Sequence, residues 1–168
     1  MATIDILIPT YNGANCIKET ICSILSQSYR NFRIIICDDA SKDDTVKVIK
    51  QIKDSRITIL ENKNNLGYSR NLERTRQHST AEYIYLMGQD DIMAQDALKN
   101  TLKAFNISPN IGAVTRPYFW FDKDINTPVR AKKQLNQKKD IVAKQSEVVE
   151  RLKLIRKELM GISNALNR

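Results

Sequence analysis

Residues 34–39 read Ile-Ile-Ile-Cys-Asp-Asp, and residues 83–91 read Tyr-Ile-Tyr-Leu-Met-Gly-Gln-Asp-Asp. Each stretch is a short apolar run followed by a pair of carboxylates, Asp38-Asp39 in the first and Asp90-Asp91 in the second. Apolar runs of this length, separated by segments of helical periodicity, predict buried parallel strands. Because open parallel sheets bind ligands outside the carboxyl ends of their strands, both acidic pairs are expected to face one cleft.

The rest of the chain alternates in the same way. Strands are predicted at residues 4–9, 32–37, 57–60, 82–87 and about 112–119, with helices between them. Asn15 is predicted to cap the first helix, and residues 41–44 (Ser-Lys-Asp-Asp) resemble a capping box for the second. This alternation over about 118 residues predicts an α/β fold, with a mainly parallel central sheet flanked by helices.

Composition is typical of a globular protein. The 168 residues are 42% hydrophobic, and no apolar run approaches the roughly 18 residues of a membrane span. The first residues lack a basic leader, and the three cysteines show no metal-ligand spacing. The expected location is therefore the cytoplasm, with reduced thiols.

The net charge of +8 is concentrated between residues 130 and 157. We predict a boundary between an α/β domain, residues 1–121, and a second part, residues 122–168, made of a basic loop and an amphipathic helix with Val148, Leu152, Ile155 and Leu159 on one face. The basic surface is either simply solvated or a peripheral contact with the inner face of an anionic membrane. The apolar face needs a partner, which is expected to be a further part of a longer protein, another subunit in a homo-oligomer, or an anionic membrane. No nucleic acid is expected, because aromatic residues are not interleaved with the charges.

The first predicted strand carries no glycine-rich phosphate motif. It ends instead in Pro9-Thr10-Tyr11-Asn12, a turn that presents an aromatic ring and an amide. A base can stack on Tyr11, and Asp39 can accept a hydrogen bond from base or ribose. The alternative is that Asn12 only makes the turn and Asp39 only caps the next helix.

The Asp90-Asp91 pair is harder to explain as a helix cap, because a cap needs a single side chain. Mg²⁺ and Mn²⁺ prefer oxygen ligands and typically bind one or two carboxylates together with substrate phosphates. Arg70 lies nearby in sequence and is either a phosphate ligand or a surface charge. The pair therefore predicts a divalent-ion site for a phosphorylated ligand.

Five segments resemble family 2 glycosyltransferases, in order and near the usual spacing. They are residues 5–12 (Asp-Ile-Leu-Ile-Pro-Thr-Tyr-Asn), 20–29, 36–43, 65–71 (Asn-Leu-Gly-Tyr-Ser-Arg-Asn) and 82–92. The resemblance covers residues 4 to about 114, two-thirds of the chain. It implies a GT-A fold, a nucleotide-diphosphate sugar donor (often a UDP-sugar) and Mg²⁺ or Mn²⁺.

The resemblance also assigns site residues by position. The expected nucleotide-sugar ligands are Pro9, Thr10, Tyr11, Asn12, Asp39, Gly67, Arg70 and Asp90. Asp91 is the favoured metal ligand and Asp90 is placed towards the ribose, although the two roles can be exchanged. One departure stands out, because Gly88 occupies the position of the usual first Asp of the family's Asp-x-Asp motif.

The function implied is sugar transfer from a nucleotide sugar to a glycan or lipid-linked acceptor in cell-surface polysaccharide synthesis, with inversion. Inverting members carry a catalytic base in a later, acceptor-binding half, so the base is expected beyond Arg168 and the fold is expected to be truncated at its C-terminus. By itself this piece is expected to bind donor and to show at most slow donor hydrolysis. The alternative is a nucleotide-sugar-binding module or an inactive fragment of such an enzyme. A phosphoacceptor domain is disfavoured, because the third strand ends Ile59-Leu60-Glu61 instead of in Asp.

Overall fold

Four parallel strands form the central sheet. The computed structural model describes residues 3–115. The strands are β1 (Ile4–Thr10), β2 (Phe32–Asp38), β3 (Ile57–Glu61) and β4 (Tyr83–Leu86), in the order β3-β2-β1-β4. The helices are α1 (Ile17–Leu25), α2 (Thr45–Gln51), α3 (Tyr68–Gln77) and α4 (Ala97–Phe105). The predicted α/β architecture with a mainly parallel sheet is confirmed.

The two central strands make most of the core. Every residue of β1 and all but one of β2 are buried, which is why their sequences are nearly continuous apolar runs. Burying one isoleucine side chain contributes roughly 1.5–3 kcal/mol, and five isoleucines at positions 6, 8, 34, 35 and 36 have at most 1% of their surface exposed. In this register Thr10 pairs with Asp38, and Asp38 with Glu61, so the carboxyl ends of three strands lie side by side.

Both helix-cap predictions are wrong. The residue before α1 is Cys16 instead of Asn15, and no side chain caps that helix end. The helix α2 begins at Thr45, after Asp44, whose side chain makes no capping bond; the Thr45 N–H donates to Asp43 Oδ1 (3.0 Å). The hydroxyl of Ser41 donates to Asp38 instead. Ser41 and Asp43 instead accept hydrogen bonds from the loop after β1, and that bonding competes with capping.

The amino end of the sheet is held by a buried carboxylate. Asp5 is fully buried and accepts hydrogen bonds from Arg33 Nη2 (2.8 Å), Ser79 Oγ (2.9 Å), and the backbone N–H groups of Thr80 (2.9 Å) and Ala81 (3.2 Å). Burial raises the pKa of Asp5, but these hydrogen bonds together lower it below its ordinary value. Asp5 therefore ties β1 to β2 and to the entrance of β4.

The chain divides into two compact units, Met1–Thr101 and Leu102–Arg168. In the second, residues 112–115 form neither helix nor strand, so the predicted fifth strand is absent from its described part. The predicted boundary after residue 121, the loop at 122–139 and the amphipathic helix at 148–159 lie outside the described residues. Within residues 3–115, no helix has the length and apolarity needed to cross a membrane.

Candidate functional site

A cavity of about 400 Å³ opens at the carboxyl ends of the strands. It is lined by residues from the loops that follow β1, β2, β3 and β4, and from the start of α3. These residues are Pro9, Thr10, Tyr11, Asp39, Asn65, Gly67, Tyr68, Asn71, Gly88, Gln89 and Asp90. The predicted cleft therefore exists at the predicted edge of the sheet.

The side chain of Gln89 fastens the loop after β1 to the loop after β4. Its Oε1 accepts hydrogen bonds from the Thr10 hydroxyl and from the Tyr11 backbone N–H (2.9 Å). Its Nε2 donates to the Tyr11 carbonyl (3.1 Å), and its own carbonyl accepts from Thr20 Oγ1 (2.6 Å). The backbone of Tyr11 is thus held while its side chain remains 38% exposed at the cavity. Such a ring is positioned for stacking against a planar ligand.

Asn12 lies outside the cavity lining. It has a left-handed backbone with φ of 50°, its N–H donates to Ser41 Oγ (2.8 Å), and its Oδ1 accepts from the Lys42 N–H (2.8 Å). Its amide therefore joins the loop after β1 to the loop after β2.

The adjacent carboxylates of Asp38 and Asp39 bond to different loops. Asp38 accepts from the N–H and the hydroxyl of Ser41, at 2.9 and 2.5 Å, and so orders the turn into α2. Asp39 is 2% exposed and accepts three hydrogen bonds from the loop after β3. Its Oδ1 accepts from Asn62 Nδ2 (2.7 Å) and the Leu66 N–H (2.8 Å), and its Oδ2 from the Gly67 N–H (2.8 Å).

Behind Asp39, two buried amides complete this network. Asn62 Nδ2 also donates to Asn71 Oδ1 (2.9 Å), and Asn71 Nδ2 donates to the Cys37 carbonyl (2.8 Å). Burial raises the pKa of the Cys37 thiol, so this cysteine remains protonated and inert. Gly67 precedes α3 with φ of +81°, a conformation that favours glycine. Sequence reasoning missed Asn62 and Asn71, since no local pattern shows which polar groups meet in the folded chain.

The two acidic side chains after β4 converge on Gly88. A Cβ built on Gly88 would lie 2.8 Å from Asp91 Oδ2 and 3.0 Å from Asp90 Oδ1. The Gly88 N–H also donates to Asp91 Oδ2 at 3.0 Å. Asp90 lines the cavity, whereas Asp91 lies beside it. Two carboxylates so near one point repel one another unless a cation or donors balance them.

The donor set suits a divalent ion bound together with a ligand. Within residues 3–115, no three His, Cys, Asp or Glu side chains converge on one point. Two carboxylates are nevertheless what Mg²⁺ commonly takes from a protein when substrate phosphates supply further oxygens. The space left by the absent side chain of Gly88 is where those carboxylates meet. The arrangement therefore fits Mg²⁺ or Mn²⁺.

A family model described as Glycosyl transferase family 2 matches residues 5–161. The chain belongs to this family. The predicted family is therefore confirmed. The predicted GT-A fold is confirmed as well.

Three proteins that are similar to this family 2 chain have names that state an activity. Escherichia coli WfaP, a UDP-Glc:alpha-D-GlcNAc-diphosphoundecaprenol beta-1,3-glucosyltransferase, is 36% identical over 102 residues, which are 61% of this chain and 41% of WfaP. Poly-beta-1,6-N-acetyl-D-glucosamine synthase of Staphylococcus aureus is 30% identical over 67% of this chain and 27% of the synthase. The structure of mannosyltransferase PcManGT from Pyrobaculum calidifontis, in complex with GDP-Man and Mn²⁺, has a TM-score of 0.62 and 27% identity over 68% of this chain and 36% of that one. The chain spans less than half the length of each.

The structure separates the predicted site residues of this family 2 chain into two sets. Those at the cavity are Pro9, Thr10, Tyr11, Asp39, Gly67 and Asp90. Asn12, Arg70 and Asp91 are not part of the lining. Arg70 is exposed on α3, and within the described part of the chain no residue accepts a hydrogen bond from its guanidinium.

Cys16 does not line the cavity. Burial raises the pKa of its thiol, and the negative charge of Asp90 raises it further. Its Sγ donates to the Gly13 carbonyl at 3.4 Å. The chemistry of the cavity therefore depends on oxygen groups, an aromatic rim and backbone N–H groups.

Proposed function

We propose that the cavity binds a nucleotide-diphosphate sugar, and that the protein transfers this sugar to a glycan or lipid-linked acceptor. The observation that carries the proposal is the meeting of two anchored loops at one cavity. One is the 62–67 loop, held by Asp39, and the other is the 88–91 loop, held by Gln89 and carrying two carboxylates over Gly88.

The nucleoside is proposed to bind between the ends of β1 and β2. Tyr11 supplies an exposed ring for stacking on the base. A carboxylate offers about four acceptor sites, and the loop uses three of those on Asp39, which leaves one for a base or ribose hydroxyl. Gly67 brings the backbone close to the ligand without a side chain.

The diphosphate is proposed to bind at the end of β4. Asp90 faces the donor because it lines the cavity. Asp91 is the proposed metal ligand, and the Gly88 N–H orients its carboxylate through Oδ2. A bound Mg²⁺ or Mn²⁺ would neutralise the charge of the leaving diphosphate. Arg70 is proposed to contact phosphate from the start of α3, where a guanidinium can form two hydrogen bonds to it.

In the proposed reaction an acceptor hydroxyl attacks the anomeric carbon, the bond from that carbon to the diphosphate breaks, and the configuration inverts. A base must take the hydroxyl proton. The two carboxylates of the lining are unsuited to this role, because Asp39 is occupied by the loop and Asp90 faces the donor. The base is therefore assigned to neither of them.

The relatives suggest which donor to test first. The name of WfaP specifies UDP-Glc, and the PcManGT structure contains GDP-Man with Mn²⁺. We propose a UDP-sugar as donor and a lipid-linked or glycan acceptor in polysaccharide synthesis, as in the names of WfaP and of the Staphylococcus aureus synthase.

The test is calorimetric titration of the 168-residue chain with UDP, UDP-Glc, GDP and GDP-Man, in Mn²⁺ and in EDTA. Asp91→Ala should weaken UDP binding in Mn²⁺ and change it little in EDTA, because it removes the ion-bridged part of the affinity. Asp90→Ala should also weaken UDP binding more in Mn²⁺ than in EDTA, because its carboxylate lies beside that of Asp91 at the proposed ion. An equal loss in both conditions for Asp91→Ala would exclude it as the metal ligand. Absence of binding by every nucleotide would contradict the proposed function.

A further inference from the structure

The structure explains glycine at position 88 by the lack of room for a side chain, and not by the backbone conformation. Gly67 is the glycine with a positive φ among the described residues; Gly88 is not in that region, so its backbone also suits alanine. What glycine provides at 88 is room. A Cβ built on Gly88 would lie 2.8 Å from Asp91 Oδ2, which is closer than real Cβ atoms come to a neighbouring atom.

That room determines how closely two carboxylates approach. Asp90 Oδ1 and Asp91 Oδ2 both lie within 3.0 Å of the same point above Gly88. The Gly88 N–H donates to one of them at 3.0 Å. A methyl group at this point would push both oxygens outward, and a carboxylate there would add a third negative charge as well as bulk.

We infer that Gly88 is a positioning residue, which sets the separation of the Asp90 and Asp91 carboxylates to suit a divalent ion shared with a nucleotide diphosphate. This inference rests on the proposed function and adds the structural element that determines its metal dependence. It predicts that a side chain at position 88 weakens metal-dependent binding even when that side chain is Asp, the residue usual at this point of the family motif.

The displaced groups should move without unfolding the chain. Both oxygens belong to the ends of exposed side chains, which can rotate away at small cost. Gly88→Ala is therefore expected to fold and to melt close to the unmodified chain. Its carboxylates would be separated and turned from the ion. Changes to groups that orient metal ligands typically lower metal affinity by about 10- to 100-fold.

The experiment measures UDP binding by calorimetry in Mn²⁺ and in EDTA for the unmodified chain, Gly88→Ala, Gly88→Asp and Gly112→Ala. Gly112 is the matched control, because a Cβ there meets nothing within 4 Å. Gly88→Ala and Gly88→Asp should each bind UDP roughly tenfold more weakly in Mn²⁺ and almost unchanged in EDTA. Gly112→Ala should change the UDP affinity in neither condition. Electron paramagnetic resonance measures the Mn²⁺ that remains free, and so compares Mn²⁺ binding among the same four chains.

Each outcome decides a separate question. If the unmodified chain shows Mn²⁺-dependent UDP binding and Gly88→Ala shows it equally, the Gly88 inference is wrong and the proposed function stands. Tighter Mn²⁺-dependent binding by Gly88→Asp would also overturn the inference. If Gly88→Ala fails to fold, glycine is required by the backbone and the inference is again wrong. If the unmodified chain binds no nucleotide, the proposed function and the inference fall together.

Discussion

Replacing Asp39 with asparagine tests whether the Asp39 carboxylate anchors the 62–67 loop. The carboxylate accepts from Asn62 and Leu66 through Oδ1 and from Gly67 through Oδ2. In Asp39→Asn the remaining oxygen can keep the first two bonds. The new NH₂ group then meets the Gly67 N–H, so two donors face each other in a buried place.

The expected cost follows from these three bonds. A hydrogen bond to a charged group contributes about 1.5–3 kcal/mol, and neutral bonds contribute about 1 kcal/mol. Losing one charge-assisted bond and weakening two others should lower the free energy of unfolding by roughly 2–3 kcal/mol. For a chain of this size, the melting temperature falls by about 2–4 °C per kcal/mol. The loop also carries Asn65 and Gly67 of the cavity wall, so nucleotide affinity should fall roughly tenfold or more.

The assay combines thermal melting with calorimetric titration of UDP in Mn²⁺, and Asn62→Ala is the control. That variant loosens the same loop but retains the Asp39 carboxylate. If both variants lose affinity in proportion to stability, Asp39 acts through the loop. A larger loss of affinity in Asp39→Asn shows a direct contact with the nucleotide. Unchanged melting and unchanged affinity in Asp39→Asn would refute the anchoring argument.

Two further predictions concern the ends of the sheet. Asp5→Asn should destabilise the chain by roughly 2–3 kcal/mol at neutral pH in urea denaturation, because it leaves Arg33 without its partner charge. The folded pKa of Asp5 is lowered from 3.8, so its contribution is present above that pH and is lost as the pH falls through the folded pKa; an equally steep acid loss in the variant would contradict this. Gln89→Leu should weaken UDP binding about tenfold by releasing Tyr11. Gly13→Ala, whose Cβ would lie 2.7 Å from Gln89 Oε1, should do the same, and unchanged affinity in both would show that this amide does not order the site.

The strand ends and the cleft could be predicted because burial leaves a direct trace in the sequence. The central strand β2 is covered on both faces and is therefore a nearly continuous apolar run, which ends at the buried carboxylates of Asp38 and Asp39. The family motifs then placed Tyr11, Asp39 and Asp90 near one another, and the structure places these three at one cavity.

Hydrogen-bond partners could not be predicted in the same way. Ser41 has the local pattern of a cap, yet its hydroxyl donates to Asp38 and accepts from the Asn12 N–H. Gln89 and Asn62 lie in polar stretches without periodicity. Their hydrogen-bond partners Thr10 and Asp39 are 79 and 23 positions away in the sequence. A polar side chain can bond to many groups, and the folded chain alone determines which one is within reach.

The neighbouring Asp38 and Asp39 limit how this sheet can change during evolution. Successive residues of a strand point to opposite sides, so inserting or deleting one residue in β2 would turn Asp38 to the other side of the sheet and displace Asp39, which follows it. The turn into α2 and the 62–67 loop would each lose their anchor in a single event. We therefore expect length variation to be tolerated in the segments between α2 and β3 or after α3, and to be strongly selected against within β2.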